Sequence, residues 1–412
     1  MLIKNIQQLV QCRHLDHALR GKNLQDLPSI DNAWVYLKNG KIEDFGEMDT
    51  CPTLENVEHL DARGKFVLPA FVDSHTHLVF AAARETEFVM RLKGKSYEEI
   101  AKAGGGILNS AERLRTTSEE DLYDAAWKRL HEVIAMGTGA IEIKSGYGLS
   151  VEGELKMLRV IKKLKENSPI PIKATFLGAH AFPKTYAKDR KGYINLIINE
   201  MLPQIAQEGL ADYIDAFLEE VAFTVEETEQ IIKAGEKYGL KAKIHTNQFN
   251  CMGGIELSVK HNALSVDHLE VINDKEIDVL KHSNTIATLL PTAPFFLDDP
   301  YQNARKIIDA GIATALASDY NPGSTPSGNM NFVLSLACIK LKMTPEEAIN
   351  SATANGAFAL EMQNEVGSIA KGKLANLILT EKIPSIGFLP YSFGQNHIDQ
   401  MIINGKIYSH GH

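Results

Sequence analysis

The sequence predicts an α/β protein: a (β/α)8 TIM barrel with a small β-sandwich formed by the N- and C-terminal segments. Three features support this fold. Short apolar runs alternate with helical patterns through the interior of the chain, hairpin signals stand near both ends, and many interior apolar runs end in histidine or an acidic residue. Strands that alternate with helices favour a parallel sheet, and polar residues at the carboxyl ends of eight such strands are typical of a barrel.

The composition is that of an ordinary globular protein with a large core, because 44% of the 412 residues are hydrophobic and 23% are charged. The formal charge of −9 is spread over both signs, without the basic block that favours nucleic-acid or membrane-surface binding. The first residues lack the apolar core of a signal peptide, and no apolar stretch has the length of a membrane span. The four cysteines are widely spaced without a CxxC motif, which predicts reduced thiols in a cytoplasmic protein: Cys12, Cys51, Cys251 and Cys338.

Hairpin signals stand at both ends of the chain. Asn-Gly between apolar residues is the strongest short hairpin signal, and it occurs at Asn39-Gly40 and at Asn404-Gly405. A further strand is predicted over Leu374–Leu379. Neither end is long enough to bury a sheet by itself, so we expect the two ends to combine. The predicted domains are a β-sandwich of residues 1–65 plus 362–412 and a barrel of residues 66–361.

The first barrel strand is predicted within Phe66–Phe80, an apolar run that leads into Asp73-Ser74-His75-Thr76-His77. Side chains two apart on a strand share a face, so His75 and His77 can present two imidazoles to one point. The spacing alone is a weak signal, because His410-Gly411-His412 repeats it in what we expect to be a solvated tail. The buried strand beneath His75 and His77 is what favours a metal site there.

Seven further barrel strands and their helices are predicted from apolar runs and helical periodicity. The strands are predicted over Gly139–Ser145, Pro171–Ala179, Tyr213–Glu219, Lys241–Thr246, Ala263–Leu269, Thr285–Leu290 and Ile312–Ser318. The helices are predicted behind a capping box at Thr117-Ser118-Glu119-Glu120 and over Val151–Glu166, Thr224–Tyr238, Gly254–His261, Lys275–His282 and Gln302–Ala310. A doubly wound open sheet is the alternative, but no GxGxxG follows an early strand. Gly104-Gly105-Gly106 lacks the lysine and hydroxyl of a P-loop and is predicted to be a mobile loop.

Polar residues that interrupt the apolar pattern fall at or just after the predicted strand ends. In a barrel this rim carries the active site. The candidates are His75, His77, Tyr147, His180, Glu219, Glu220, His245, His268 and Asp319. A single histidine in a strand is usually structural, whereas several strand ends with histidine and one with aspartate form a set in which each role needs the others. Histidines on polar or helical stretches are assigned no function: His17, His131, His261 and His282.

Metal chemistry accounts for this set of residues. A catalytic metal site needs three or four nitrogen or oxygen ligands, and His75, His77, His245 and Asp319 would provide them. The ion would lower the pKa of a bound water and so supply a hydroxide nucleophile. Asp319 could then take a proton and pass it to a leaving nitrogen, while His268 could stabilise a developing oxyanion. A serine nucleophile is not predicted, because the GxSxG elbow is absent.

The residues just described resemble the amidohydrolase superfamily, and six motifs in order narrow the resemblance to its imidazolonepropionase family. The motifs are DSHTHLVFAAARETEF, EIKSGYGLS, FLGAHAFP, HTNQF, VDHLE and ASDYNPGS. The resemblance covers the whole chain, and it implies hydrolytic ring opening of the small molecule 4-imidazolone-5-propanoate to N-formimidoyl-L-glutamate in histidine degradation. It also implies one zinc or iron ion, a homodimer and the four metal ligands named above. The implied substrate contacts are Arg84, Tyr147, His180, Gln248, Asn321, Gly323 and Ser324.

Two residues depart from the pattern of these relatives, and one lysine needs an interpretation. Ala70 stands where many superfamily members have glycine, which we interpret as a packing change. Gln248 stands where some family members have glutamate, and an amide can orient substrate or water but cannot act as a base at neutral pH. Proton transfer is therefore expected from Asp319 and His268. We interpret Lys144, on the second strand, as structural or near the substrate, and we expect one metal ion.

Three functions remain open at this point. The first is the cyclic amidohydrolase, the second a related metal-dependent deaminase of another nitrogen heterocycle, and the third a binding protein that keeps the barrel without catalysis. The complete set of ligand candidates disfavours the binding protein. Arg84 and the set of implied substrate contacts that runs from Tyr147 to Asn321 disfavour the deaminase. For Arg84 itself the alternative is a surface arginine paired with Glu85 or Glu87. Histidine and aspartate ligands suit both zinc and iron, so the sequence does not distinguish the two metals.

Overall fold

The computed structural model describes residues 1–95, 99 and 105–409, and its strands form two separate sheets. The strands of the smaller, mixed sheet are β1 (Leu2–Val10), β2 (Ser29–Lys38), β3 (Lys41–Glu47), β4 (His59–Asp61), β5 (Lys65–Pro69), β14 (Leu377–Lys382), β15 (Ile398–Ile403) and β16 (Lys406–Ile407). The strands of the parallel sheet are β6 (Phe71–Asp73), β7 (Thr138–Lys144), β8 (Ile172–Ala179), β9 (Tyr213–Leu218), β10 (Lys241–Thr246), β11 (Ser265–His268), β12 (Ile286–Leu289) and β13 (Thr314–Leu316).

Within the described residues, the parallel sheet has eight strands in sequential order from β6 to β13, which confirms the predicted barrel class. The barrel closes just beyond the strand ends, where a parallel bridge joins Thr76 to Tyr320. The N–H of His77 donates to the carbonyl of Tyr320 at 2.9 Å, and the N–H of Asp319 donates to the carbonyl of His75 at 3.0 Å. The seam that closes the barrel is therefore made by residues of the predicted rim.

Helices connect the strands of the parallel sheet and extend beyond its last strand. They are α1 (Glu85–Leu92), α2 (Ile107–Thr116), α3 (Glu119–Ala135), α4 (Val151–Asn167), α5 (Arg190–Leu196), α6 (Leu202–Glu208), α7 (Val225–Glu236), α8 (Gly254–Lys260), α9 (Asp274–Lys281), α10 (Thr292–Leu297), α11 (Ala304–Asp309), α12 (Met330–Ile339), α13 (Pro345–Ala352), α14 (Ala354–Ala359) and α15 (Phe388–Tyr391). A π-helical turn, Ile197–Met201, joins α5 to α6. None of the helices in the described parts of the chain combines the length and the apolarity that crossing a bilayer demands.

The smaller sheet draws its strands from both ends of the chain, as predicted. Its order is β16-β15-β14-β5-β1-β2-β3, with β4 beside β1. Both Asn-Gly signals are tight hairpins, and positive φ at Asn39, Gly40, Asn404 and Gly405 matches the turn type that twists with its strands. The exact domain limits stay a proposal, because β5 carries the smaller sheet across the proposed boundary at residue 65.

The prediction of one strand at the start of the barrel was wrong in detail. The apolar run is split into β5, which pairs with β1 and β14, and β6, which pairs with β7. Ala70 lies at the break, where its N–H donates to the carbonyl of Asn376 at 2.9 Å. A Cβ placed on Gly139 would lie 2.3 Å from the methyl group of Ala70. The packing interpretation of Ala70 therefore has a structural basis in Gly139, which leaves room for that methyl group.

Side-chain caps define several of the helices, and one cap differs from its prediction. The N-cap of α3 is Ser118, whose hydroxyl accepts from the N–H of Asp121, so the predicted box at residues 117–120 is displaced by one residue. Thr224 and Asn273 form reciprocal capping boxes with Glu227 and Glu276 at the starts of α7 and α9. The predicted tail His410-Gly411-His412, and Gly104 of the predicted glycine loop, lie outside the described residues.

Candidate metal centre and substrate cavity

The four predicted metal ligands converge at the carboxyl end of the barrel. Oδ1 of Asp319 lies 3.5 Å from Nε2 of His75 and 3.6 Å from Nε2 of His77. Nε2 of His245 lies 3.3 Å from Nε2 of His77. A tetrahedron with metal–ligand distances of about 2.0–2.2 Å has edges of roughly 3.3–3.6 Å. These three spacings fall in that range, and donor atoms of His75, His77 and His245 all lie within 4.8 Å of one another, as binding of one small divalent ion requires.

The hydrogen bonding of His75 also fits a metal ligand. Its Nε2 is buried and has no hydrogen-bond partner among the described residues. Its Nδ1 lies 2.7 Å from Oδ2 of Asp267. His245 is held in the same way, with Nδ1 2.7 Å from Oδ2 of Asp215. A carboxylate that accepts from Nδ1 leaves the Nε2 lone pair available, which is the usual support for a metal-bound imidazole.

The protonation of the three histidines suits metal binding. Burial holds the pKa of His75 and of His245 well below the ordinary value, and the ammonium of Lys144 lowers both pKa values further. Burial and the nearby His245 lower the pKa of His77 in the same direction. These side chains are therefore neutral near pH 7, and the neutral imidazole is the form that coordinates a metal ion. Burial raises the pKa of Asp319 to about 6, which still leaves a carboxylate at neutral pH.

His268 differs from the other histidines of the rim in its acid strength. Burial lowers its pKa, but the carboxylate of Glu270, 3.4 Å from Nδ1, together with Asp319 and Asp267, more than offsets burial and raises the pKa to about 9. The backbone is in the positive-φ region at His268 (92°) and at Asp319 (55°). Non-glycine residues in this region are strained and cluster at functional sites. His268 is thus a buried cationic donor beside the four ligand candidates.

A cavity of about 490 Å³ opens over these residues. Its wall includes every predicted substrate contact: Arg84, Tyr147, His180, Gln248, Asn321, Gly323 and Ser324. Of the metal and proton-transfer candidates, His77, His245, His268 and Asp319 also line it. Glu220, by contrast, is an exposed residue that does not face this cavity. The volume suits a single small molecule, since ligand pockets of this kind start at roughly 300 Å³.

Arg84 forms an ion pair with Glu87 and also lines the cavity. Its guanidinium pairs with Glu87, with Nε 2.9 Å from Oε1 and Nη2 2.5 Å from Oε2. Its side chain also lines the cavity, and a Cβ on Gly323 would lie 2.3 Å from Nη1. Glu87 in turn accepts from the N–H of Gly106 at 3.0 Å. The ion pair therefore holds Arg84 in the cavity wall, and Gly323 leaves the space that the guanidinium occupies.

The turn after β13 is organised by the side chain of Asn321. Its Oδ1 accepts from the N–H groups of Gly323 and Ser324 at 2.8 Å each. Its Nδ2 donates to the carbonyl of Asp319 at 2.7 Å and to Oγ of Ser324 at 2.8 Å. Asn321 therefore shapes the turn that brings Gly323 and Ser324 to the cavity, and it fixes the backbone of the ligand candidate Asp319.

Tyr147 and His180 form an aromatic wall beside His77. The ring of His180 stacks on that of His77, with centroids 5.3 Å apart and planes at 19°, and the centroid of Tyr147 lies 5.5 Å from that of His180. Nδ1 of His180 lies 3.1 Å from the carbonyl of Gly146, and burial lowers the pKa of His180 to about 4. The neutral ring donates through Nδ1, so its Nε2 can accept a hydrogen bond from a ligand.

Gln248 lies after β10 and reaches the cavity through a loop that a buried carboxylate holds. Oε1 of Glu219 accepts from the N–H groups of Gln248 and Phe249 at 2.7 and 3.0 Å. Glu219 therefore supports the rim through these backbone contacts, and it does not line the cavity. A buried acceptor of two backbone donors fixes the loop in place.

Sequence reasoning missed several residues that support the site. Asp215 and Asp267 lie within predicted strands and Glu270 follows one, and no supporting role was predicted for any of the three. The available signal was an acidic residue inside an apolar strand, as in Tyr213-Ile214-Asp215-Ala216-Phe217, because buried charges are rare unless they are paired. Lys144 does not line the cavity, so of its two predicted roles the structure supports the structural one.

The comparisons with known proteins agree with the fold and identify the family. A model of the amidohydrolase family matches residues 66–408. The imidazolonepropionase of Christiangramia forsetii is 56% identical over 408 residues, covering 99% of each chain, and that of Flavobacterium johnsoniae is 57% identical over 407 residues, covering 98% of this chain and 99% of the relative. Among solved structures, the guanine deaminase of E. coli has a TM-score of 0.76 at 16% identity, with 100% of this chain and 99% of that chain covered. The chain therefore belongs to the amidohydrolase family and, within it, to the imidazolonepropionase family.

Proposed function

We propose that this chain is a metal-dependent hydrolase that opens the ring of 4-imidazolone-5-propanoate to give N-formimidoyl-L-glutamate, a step of histidine degradation. The observation that carries the proposal is the identity of 56–57% over nearly the full length to relatives named imidazolonepropionase. The geometry agrees with it, because two overlapping groups of possible metal ligands, His75 with His77 and His245 and His75 with His268 and Asp319, lie beside a cavity with an arginine in its wall.

The proposed metal ligands are His75, His77, His245 and Asp319. Histidine and carboxylate donors suit either Zn²⁺ or Fe²⁺, so the proposal names one divalent ion without choosing between them. When bound, such an ion would supply a water whose pKa is lowered toward neutrality, and hence the nucleophile for hydrolysis. Nε2 of His75 is buried and makes no hydrogen bond among the described residues, which supports its assignment as a ligand of the ion.

Proton transfer is assigned to Asp319 and His268. In the reaction, the oxygen of water adds to the ring carbonyl carbon, the bond from that carbon to the ring nitrogen breaks, and the nitrogen takes a proton. Asp319, which is ionised above a pKa of about 6, can accept the proton of the attacking water and return it to the nitrogen. His268, protonated below a pKa of about 9, can donate a hydrogen bond to the oxyanion that forms at the carbonyl.

The remaining residues of the cavity are assigned to substrate binding. Arg84 offers a planar guanidinium for the propionate carboxylate. Tyr147 remains a neutral phenol, because burial raises its pKa, and it can donate to the same end of the molecule. His180, Gln248 and the turn of Gly323 and Ser324 present further hydrogen-bonding groups, with Gln248 orienting substrate or water without acting as a base. In this arrangement the water attacks the ring of the substrate, and Arg84 binds the propionate carboxylate at the other end of the substrate.

The deaminase and binding-protein interpretations are not favoured. The guanine deaminase likeness is at 16% identity, which shows a shared barrel and carries no substrate. A pure binding protein has no use for a buried histidine whose Nε2 lacks a partner or for a cationic histidine beside it. A cytoplasmic location and a homodimer also stay predictions, and light scattering coupled to size exclusion would measure the oligomeric state.

The direct test is to incubate the metal-loaded protein with 4-imidazolone-5-propanoate and follow the loss of its ultraviolet absorbance. We expect N-formimidoyl-L-glutamate as the product, identified by mass spectrometry, with uptake of one oxygen from ¹⁸O-labelled water into the new carboxylate. Ammonia release from a heterocyclic amine, without turnover of the imidazolone, would instead identify a deaminase. A chelator-treated sample serves as the control and should be inactive until the metal is restored.

A further inference from the structure

A fully buried lysine lies beneath the cavity and contacts acidic side chains from three strands. Lys144 is on β7, and its Nζ lies 2.7 Å from Oε1 of Glu142 on the same strand. The same nitrogen lies 2.9 Å from Oδ2 of Asp215 on β9 and 3.8 Å from Oδ2 of Asp267 on β11. All four side chains are fully buried. A buried charge is costly unless it is paired, so this cluster must be held together by its own contacts.

The carboxylate oxygens that face Lys144 are the same atoms that face the candidate metal ligands. Oδ2 of Asp215 lies 2.7 Å from Nδ1 of His245, and Oδ2 of Asp267 lies 2.7 Å from Nδ1 of His75. Oδ2 of Asp215 thus has an ammonium at 2.9 Å and an imidazole N–H at 2.7 Å, whereas Oδ2 of Asp267 has the imidazole N–H at 2.7 Å and the ammonium only at the ion-pair distance of 3.8 Å. An oxygen held by two donors has less freedom to rotate than one held by a single donor, so the imidazole that donates to it is oriented more tightly.

The third carboxylate extends the arrangement to the segment between the first two ligand candidates. Oε2 of Glu142 lies 3.2 Å from the N–H of Thr76, the residue between His75 and His77. The backbone N–H of Lys144 also donates to the carbonyl of Thr76 at 2.9 Å. Lys144 is therefore connected to His245 through Asp215. It is connected to the segment His75–His77 through Glu142 and through its own backbone N–H.

The barrel contains a second fully buried lysine, Lys243, which serves as a comparison for Lys144. Nζ of Lys243 lies 2.8 Å from Oγ of Ser265 and 3.3 Å from the carbonyl of Ala359. Within the described residues it has no carboxylate oxygen within ion-pairing distance, although it too is fully buried. Lys144 and Lys243 are thus alike in being fully buried on barrel strands, and of the two only Lys144 lies within ion-pair distance of the carboxylates that hold the histidines.

We propose that Lys144 is a positioning residue of the metal centre, which orients His75 and His245 with Nε2 toward the ion through one oxygen each of Asp267 and Asp215. The inference rests on the proposed metal site and extends it below the ligands. Carboxylates that hold a metal-bound histidine change metal affinity by tenfold to a hundredfold when they are altered. An ammonium paired with both carboxylates is expected to act on affinity through both histidines, and more strongly through Asp215 and His245, where the contact is 2.9 Å, than through Asp267 and His75, where it is 3.8 Å.

The first experiment compares Lys144→Met with Lys243→Met, which remove one buried ammonium each at nearly constant side-chain length. Zn²⁺ affinity is measured by competition with a chromophoric chelator, and the free energy of unfolding is measured on the metal-free proteins. We expect both variants to be destabilised, but only Lys144→Met to bind Zn²⁺ about tenfold or more weakly, on the scale of altered supports of a ligand. Equal losses of Zn²⁺ affinity in the two variants, or an unchanged affinity in Lys144→Met, would overturn the proposal.

The second experiment uses the unsubstituted chain and so holds even if a variant does not fold. Histidine labelled with ¹⁵N reports by NMR which ring nitrogen carries the proton in the metal-free protein. We expect His75 and His245 to be protonated at Nδ1 in a single form, and an Nε2-protonated form of either would overturn the proposal. Failure of the metal site itself is distinguishable, because the unsubstituted chain would then bind no stoichiometric Zn²⁺ while its tautomers could still be read.

Discussion

The carboxylate of Glu270 lies 3.4 Å from Nδ1 of His268 and also accepts from Nε2 of Gln302 at 2.9 Å. The negative charge of Glu270, with further contributions from Asp319 and Asp267, explains why His268 has a raised pKa while the pKa values of the other rim histidines are lowered. Nδ1 of His268 donates to Glu270, so Nε2–H is the group that can donate a hydrogen bond to a substrate. The chain thus places neutral imidazoles where a metal ion would bind and a charged imidazole where an oxyanion would form.

The pH dependence of kcat/KM follows from these two side chains. Asp319 must be ionised, so activity should rise with pH through about 6, and a bound cation would move this limb to lower pH. His268 must be protonated, so activity should fall as the pH rises through about 9. Removing the anionic partner in Glu270→Gln should shift the alkaline limb to lower pH while the acid limb stays. An unshifted alkaline limb in that variant would separate the limb from His268.

Metal content should depend on His75 and His245. Either alanine variant loses one ligand and leaves Asp267 or Asp215 without its imidazole donor, so we expect less than stoichiometric metal after dialysis, measured by elemental analysis. The matched control is His282→Ala, at an exposed histidine after α9 whose Nδ1 lies 2.8 Å from a backbone carbonyl. The control should bind metal like the unsubstituted chain. Full occupancy in both ligand variants would reject the assignment.

His268→Ala tests the oxyanion role separately from metal binding. Loss of one oxyanion donor typically lowers kcat by on the order of 10²–10³. We therefore expect a variant that retains its metal, as measured by elemental analysis, but turns over slowly. Because donor atoms of His75, His268 and Asp319 also lie within 4.8 Å of one another, a loss of metal in this variant would instead make His268 a ligand. Near-normal turnover would remove it from the mechanism.

The barrel and its rim could be predicted because their signals are local. Apolar runs such as that of β7, whose residues are all buried, mark the strands of a parallel sheet without any knowledge of their neighbours. His75 and His77 follow such a run, and barrel geometry brings later strand ends to the same rim. The two Asn-Gly hairpins of the smaller sheet could also be predicted, since a hairpin turn depends on two residues and on the twist of the strands around them.

The parts that could not be predicted depend on contacts between distant residues. The break between β5 and β6 at Ala70 is set by Asn376 and Gly139, which are remote in sequence. The pairing of Asp215 with His245 joins two strands, and a buried acid within an apolar run does not say which partner it has. The shift of the α3 cap to Ser118 is a choice between adjacent hydroxyl residues, where boundaries are least certain.

Substrate choice is expected to depend on the guanidinium of Arg84, whose Nε and Nη2 pair with Glu87 while Nη1 faces Gly323. Arg84→Lys keeps the charge but loses the planar fork, so it should weaken binding of the propionate carboxylate by roughly 1.5–3 kcal/mol in kcat/KM, the scale of a hydrogen bond to a charged group. An analogue without the carboxylate should respond little to the change, and metal content should not change at all. The control is Arg190→Lys, because Arg190 makes the same forked pair with Glu227 but does not line the cavity. If Arg84→Lys and the unsubstituted chain discriminate equally between the two compounds, another residue binds the carboxylate. If Arg190→Lys loses as much kcat/KM as Arg84→Lys, the effect comes from a change in the fold and not from the guanidinium in the cavity.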